Sequence, residues 1–202
     1  MQFIIGFVLS FIGSMPLGLI NVTVAETSIK RGLKVALSVA AGAAVVEFFQ
    51  AFLVLRFSYL LVQSPGVERW FHYFALVLFF VLAFYYFFIA KPVTSIVPKD
   101  PDIFKVHPFW KGAGVSSLNF MVVPYWLFYG AFLSSNGWMR ITNFQVAVFS
   151  LGVSLGAFML FYLYAKMGRW VFLHATRLVR KTNAIVGWIF FGLGAYQLYV
   201  VL

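Results

Sequence analysis

The chain has 202 residues, of which 63% are hydrophobic and 10% charged, with a mean hydropathy of +0.95. Soluble domains are roughly 45–50% apolar and about 25% charged, so a soluble fold is excluded. The net charge of +10 sits in short stretches between apolar runs, and with no basic domain outside those runs nucleic-acid binding is excluded too. The absence of cysteine removes disulfides, Cys-ligated zinc, iron–sulfur clusters and thiol redox chemistry.

The first apolar run covers about residues 1–24. It has no basic leader and no A-x-A cleavage site, so it reads as a retained span and not as a signal peptide. Its centre, GSMPLGLIN, carries Pro16, Gly18 and Asn21, which predicts an interrupted helix. The second run, about 33–55, holds Glu47, and further runs follow at about 70–90, 113–133, 143–165 and 183–202. Each has the ~20 residues that cross a ~30 Å hydrocarbon core. Backbone groups in lipid must bond within their own segment, and these runs do not alternate as barrel strands do, so all six are predicted to be helices.

Charge predicts orientation. Lys30, Arg31 and Lys34 follow span 1. Lys91, Lys99, Lys105 and Lys111 follow span 3, and Lys166, Arg169, Arg177, Arg180 and Lys181 follow span 5. Only Arg56, Arg69 and Arg140 of the fifteen basic residues fall in the other two connections. Positive residues stay inside, so loops 1–2, 3–4 and 5–6 are expected in the cytoplasm and both termini outside. The longest connection, about 91–112, is punctuated by Pro98, Pro101 and Pro108, each holding its predecessor extended. It divides the chain into two halves of three spans, and an odd number of spans gives the halves opposite orientations. Spans 2 and 5 align loosely with Gly42 against Gly152. The breakers of span 1 are matched in span 4 by Gly112, Gly114, Asn119 and Pro124. The expected fold class is therefore an all-α integral membrane protein. It is one membrane domain, 1–202, of six transmembrane helices in a 3+3 inverted repeat with the first helix of each half broken. Repeat 1 covers about 1–90, a cytoplasmic linker about 91–112, and repeat 2 about 113–202.

Glu47 is the most informative residue, because the other four acids lie at span ends or in loops. An acid inside the bilayer costs about 2.5–3.5 kcal/mol on insertion scales, and a group able to be neutral or charged suits a proton relay or a cation site. A protonated Glu hydrogen-bonded to a neighbouring helix is the structural alternative. Ala36, Ala40, Ala43, Glu47 and Gln50 recur at intervals of three or four and form one inward stripe. Asn21 and Asn119 stand beside helix breakers, where an amide can replace a lost backbone bond. Tyr125 and Tyr129, one turn apart after Pro124, suit a cavity wall as well as an interfacial belt. Gly152 and Gly156 form a G-x-x-x-G helix contact. His72, His107 and His174 are unpaired at ligand spacing, so no metal site and no cofactor is expected.

In order and spacing these residues resemble the lysine-exporter superfamily of LysE/RhtB-type translocators over nearly the whole chain. Pro16, Gly18 and Asn21 in MPLGLIN match its first-helix pattern. Gly32 matches the glycine that opens span 2, and Gly42 with Glu47 a glycine followed five residues later by an acid. Gly112 and Asn119 in FWKGAGVSSLN match the span 4 pattern, and Gly187, Gly192 and Gly194 the last span. Leu19 and Phe120 stand where the family usually has prolines. The resemblance implies proton-driven export of amino acids or related small metabolites across the plasma (inner) membrane, with no enzymatic step. Its thiol-redox branch needs cysteines, and a soft-metal exporter would offer Cys or clustered His. The expected substrate and proton site comprises Pro16, Gly18, Asn21, Glu47, Gln50, Asn119, Pro124, Tyr125 and Tyr129. The expected partners are a small-molecule substrate, the lipid bilayer and a second copy of the chain as a homodimer, with no nucleic acid. An inorganic-cation exporter or channel and a non-transporting scaffold subunit are the alternatives.

Overall fold

The structure, a computed structural model, describes residues 1–16, 18–62, 65–89 and 106–201. Every regular element among them is a helix: α1 (Gln2–Gly13), α2 (Leu19–Arg31), α3 (Leu33–Val62), α4 (Pro65–Phe84), α5 (Pro108–Ser117), α6 (Val122–Ser135), α7 (Asn143–Lys166) and α8 (Gly168–Val201). A five-residue π-helix, Tyr85–Ile89, continues α4. Helices α3 (over Leu33–Ser58) and α7 have the length and apolarity of a continuous membrane span. Helices α5 and α6 pass the same test only together, bent by 67° at their break.

Two connections are shorter than the charge pattern predicts. Helix α2 runs through Arg31 and α3 starts at Leu33, so the first loop is Gly32 alone. At φ 85° and ψ 164° Gly32 occupies a conformation that a side chain disfavours, which lets one residue reverse the chain. Lys30 and Arg31 are helical because basic side chains suit a helix C-terminus. Glu26 also holds Lys30 at 2.6 Å one turn away. Similarly, only Met167 separates α7 from α8, so the backbones of Arg177, Arg180 and Lys181 are helical and the predicted fifth loop is absent. The linker predicted to end at 112 ends earlier. Pro108 is the first residue of α5, with His107 Nδ1 accepting from the Phe109 amide at 3.4 Å, and Pro suits that position because its amide would be unpaired anyway. Residues 91–105, with Lys91, Lys99, Lys105, Pro98 and Pro101, lie outside the described residues.

Among the described residues two helix pairs cross at backbone distance with glycines on both helices. Helix α1 lies on α7, where Gly6 faces the Phe149 carbonyl and Gly152 and Gly156 face the carbonyls of Phe3 and Phe7. Helix α5 lies on α3, where Gly112 meets Val39 and Gly42 meets Phe109. A Cβ at any of these glycines would run into main-chain atoms. The two glycines aligned by sequence, Gly42 and Gly152, thus do the same job in different halves. Each admits the leading helix of the other half. Between these crossings, α2, α3 and α7 bury Val24, Val39, Ala40, Ala43, Ala157 and Phe161. Helices α4 and α8 pack on each other through Phe79, Leu82, Ala83, Val186 and Phe190.

The bundle ends differ in charge. At one end Gln2 donates to the Trp138 carbonyl at 2.8 Å and Arg56 to the Ile141 carbonyl at 3.0 Å. These bonds place the N-terminus beside the α6–α7 turn. At the other end Gly168 packs on the Ala25 carbonyl and Ile29, which gathers Lys30, Arg31 and Lys166.

The crossings give a direct test two residues apart. Gly112→Ala is expected to cost about 1–3 kcal/mol by overpacking. Gly114→Ala, which meets no atom within 4 Å, should be neutral or stabilising by roughly 0.5–1 kcal/mol through helix propensity. Melting temperatures of the detergent-solubilised variants check this, and equal melting would show that the crossing is not close-packed.

Candidate functional site

Helix α1 stops at Gly13 and α2 starts at Leu19, and the five residues between cannot continue a helical ladder because Pro16 lacks an amide hydrogen. Asn21 repairs the break. Its Nδ2 donates to the Ser14 carbonyl at 2.8 Å and to the Pro16 carbonyl at 2.7 Å. Both amide hydrogens are thereby used, and Oδ1 is left buried without a partner. The Tyr125 hydroxyl reaches across from α6 and donates to the Leu9 carbonyl at 2.7 Å, and Gly13 leaves room for the ring. The Tyr164 hydroxyl donates to the Met15 carbonyl at 2.7 Å. Asn21 and Tyr164 therefore take up carbonyls freed by the break, and Tyr125 adds a bond to the last turn of α1.

The second break, 118–121, is closed by its own backbone. The amides of Val122 and Val123 donate to the Asn119 and Phe120 carbonyls at 3.4 and 3.2 Å, and Pro124 has no amide to satisfy. The first turn of α2, in contrast, has Gly18 at its cap position and no side-chain cap. The first-turn amides of a helix have no intrahelical acceptor, so of the two inner helix starts that of α2 is the more open to an anion.

Both breaks face one cavity of about 280 Å³. Pro16, Gly18, Asn21, Glu47, Asn119, Pro124, Tyr125 and Tyr129 all line it. Gln50 does not. It lies one turn further along α3, where its Nε2 donates to the Ser116 carbonyl at 3.3 Å and ties α3 to the end of α5. Glu47 is 5% exposed, as the stripe of Ala36, Ala40 and Ala43 predicts, since all three are fully buried. The Ser10 hydroxyl of α1 faces the Glu47 carboxyl and has no other partner. Tyr125 and Tyr129 rings lie 4.8 Å apart, centroid to centroid, with Tyr125 within electrostatic range of Glu47.

Two parts of the lining were not expected from sequence. Ser10 carried a usable signal, being the lone polar residue of α1 after Gln2. The aromatic wall carried none. Phe79, Phe128, Phe190 and Tyr86 come from α4, α6, α8 and the π-helix, and they are not distinguishable among 26 phenylalanines and ten tyrosines. Their rings stack at 6.1 Å for Phe79–Phe190 and 5.8 Å for Tyr86–Phe190, with Phe128 edge-on to Phe79 at 6.4 Å. Among the described residues no group of three His, Cys, Asp or Glu could hold a metal ion, and Glu47 is the sole carboxylate in the lining.

The arrangement can hold a small solute with one positive group near Glu47 and apolar bulk against the aromatic wall. No match to the chain was found among curated proteins or among solved structures. The family model of the LysE type translocator matches residues 11–200, a stretch that includes both breaks, Glu47 and the aromatic wall. The chain is a multi-pass membrane protein of transport, and it belongs to the LysE type translocator family.

Proposed function

We propose that this protein exports amino acids or related small metabolites across the plasma membrane, the inner one where there are two, in exchange for protons. One observation carries the reading: Glu47, the one buried acid among the described residues, shares a cavity with two helix breaks, one from each half of the chain. In transporters built this way, half-helix ends bind the charged parts of the solute near the bilayer midplane. Here the solute carboxylate meets the open first turn of α2. Glu47 takes either a proton or the solute ammonium, so inward proton movement and outward solute movement alternate at one carboxyl.

The paired crossings of α1 on α7 and α5 on α3 support a 3+3 inverted repeat of six spans. In this reading α1–α2 and α5–α6 are each one broken span, and the halves rock against each other about the cavity. The gathering of Lys30, Arg31 and Lys166 at one end supports placing that end in the cytoplasm.

In proteoliposomes with an imposed pH gradient, Glu47→Gln is expected to abolish gradient-driven solute movement while leaving solute–solute exchange measurable. Gradient-driven transport that survives intact in this variant removes Glu47 from the coupling. A flux of inorganic cations without any amino-acid flux would instead favour a cation exporter. For orientation, reporter fusions at either terminus should be active only outside the cytoplasm, and a cytoplasmic signal at both would reverse the topology.

A further inference from the structure

The polar end of the cavity has a one-sided chemistry. Asn21 is 2% exposed, and its two amide hydrogens are committed to the Ser14 and Pro16 carbonyls, which fixes Oδ1 as the free atom. A buried acceptor with no donor costs free energy that a ligand could recover. The Tyr125 hydroxyl has given its hydrogen to the Leu9 carbonyl and offers only lone pairs. Glu47 as a carboxylate also only accepts. No lysine, arginine or histidine lines the cavity among the described residues, so the donors there are neutral ones, the Ser10 hydroxyl, the Asn119 amide and the first-turn amides of α2. Apart from Ser10, Ser14 and Asn119 the rest of the lining is mostly aromatic and aliphatic, with the rings of Phe79, Tyr86, Phe128 and Phe190 as one wall. At about 280 Å³ the space lies just under the roughly 300–1,000 Å³ of ligand sites in general, enough for a single amino acid.

We propose that the solute is an amino acid with a large apolar side chain, whose ammonium is held jointly by Glu47 and Asn21 Oδ1 and whose side chain lies on the aromatic wall. This rests on the transporter reading above and deepens it. A second carboxylate, as in glutamate, would have to be buried against the negative faces of the rings, and a second ammonium, as in lysine, would have only a cation–π contact of about 0.5–2 kcal/mol to offset its desolvation. Asn21 is therefore both a staple of the break and a specificity-determining acceptor.

Binding to the purified protein in detergent micelles separates these roles, with competition against labelled phenylalanine as the readout. For the wild type, phenylalanine and leucine should compete, and lysine and glutamate should not. N-Trimethylated phenylalanine, which has no N–H to donate, should bind about tenfold or more weakly than phenylalanine, the loss expected for a hydrogen bond to a charged group. Asn21→Ala should weaken phenylalanine by a similar factor while leaving the weaker competition by 3-phenylpropionate, which lacks the ammonium, unchanged. Where Asn21→Ala does not fold, the trimethylated ligand on the wild type and the Glu47→Gln variant give the same contrast. Equal weakening of phenylalanine and 3-phenylpropionate by Asn21→Ala, or equal binding of the trimethylated ligand, overturns the role of Asn21. Binding of lysine or glutamate in preference to phenylalanine overturns the substrate class and leaves the transporter reading standing. Binding of phenylalanine without flux in proteoliposomes overturns the transporter reading and leaves the site.

Discussion

Hydrocarbon offers no hydrogen bonds, and every unusual feature of this protein answers to that constraint. A helix may be broken inside the bilayer only where other groups take up the freed carbonyls and amides. At the first break Asn21 and Tyr164 do so, and Tyr125 bonds the adjoining last turn of α1, all at 2.7–2.8 Å. These side chains come from α2, α6 and α7, so the break is a meeting point of both halves of the chain. The cavity exists because the backbone there has been turned aside and held.

The two halves share a frame and differ in chemistry. In each, a glycine of the long helix, Gly42 or Gly152, accepts the leading helix of the other half. Five residues further on the correspondence ends: Glu47 stands in α3 and Ala157 in α7. The breaks differ as well. The first is held by side chains and leaves the start of α2 open, whereas the second closes on its own backbone and on Pro124. The cavity between them has a polar side, with Glu47 and Asn21, and an apolar, aromatic one.

Much of this was legible in the sequence because breakers and buried charges in apolar runs have few explanations. Proline, glycine and asparagine in span 1, their counterparts in span 4, and the Ala36–Glu47 stripe are local patterns with local causes. Gln50 shares that stripe yet bonds to α5 outside the cavity, because a helical stripe fixes direction but not depth. The lengths of the loops were misjudged because basic residues mark helix ends as readily as loops. The aromatic wall was hidden for a different reason. Choosing Phe79 or Phe190 from 26 phenylalanines requires knowing that α4 and α8 pack together, which is a long-range fact.

The glycine crossings also bear on how the protein is made. Gly6 in α1 has its contact surface on α7, around Phe149 and Val153. A chain synthesised at about 5–20 residues per second needs on the order of ten seconds to deliver that partner. Helix α3 likewise waits for α5 with Gly42 uncovered. The first half must therefore sit in the bilayer with its small-residue faces bare until the second half is inserted. Neither half can cover its own crossing glycines, so these contacts close only on the nearly complete chain. Truncated products would present open glycine faces to the lipid and to each other, a surface on which membrane quality control can act.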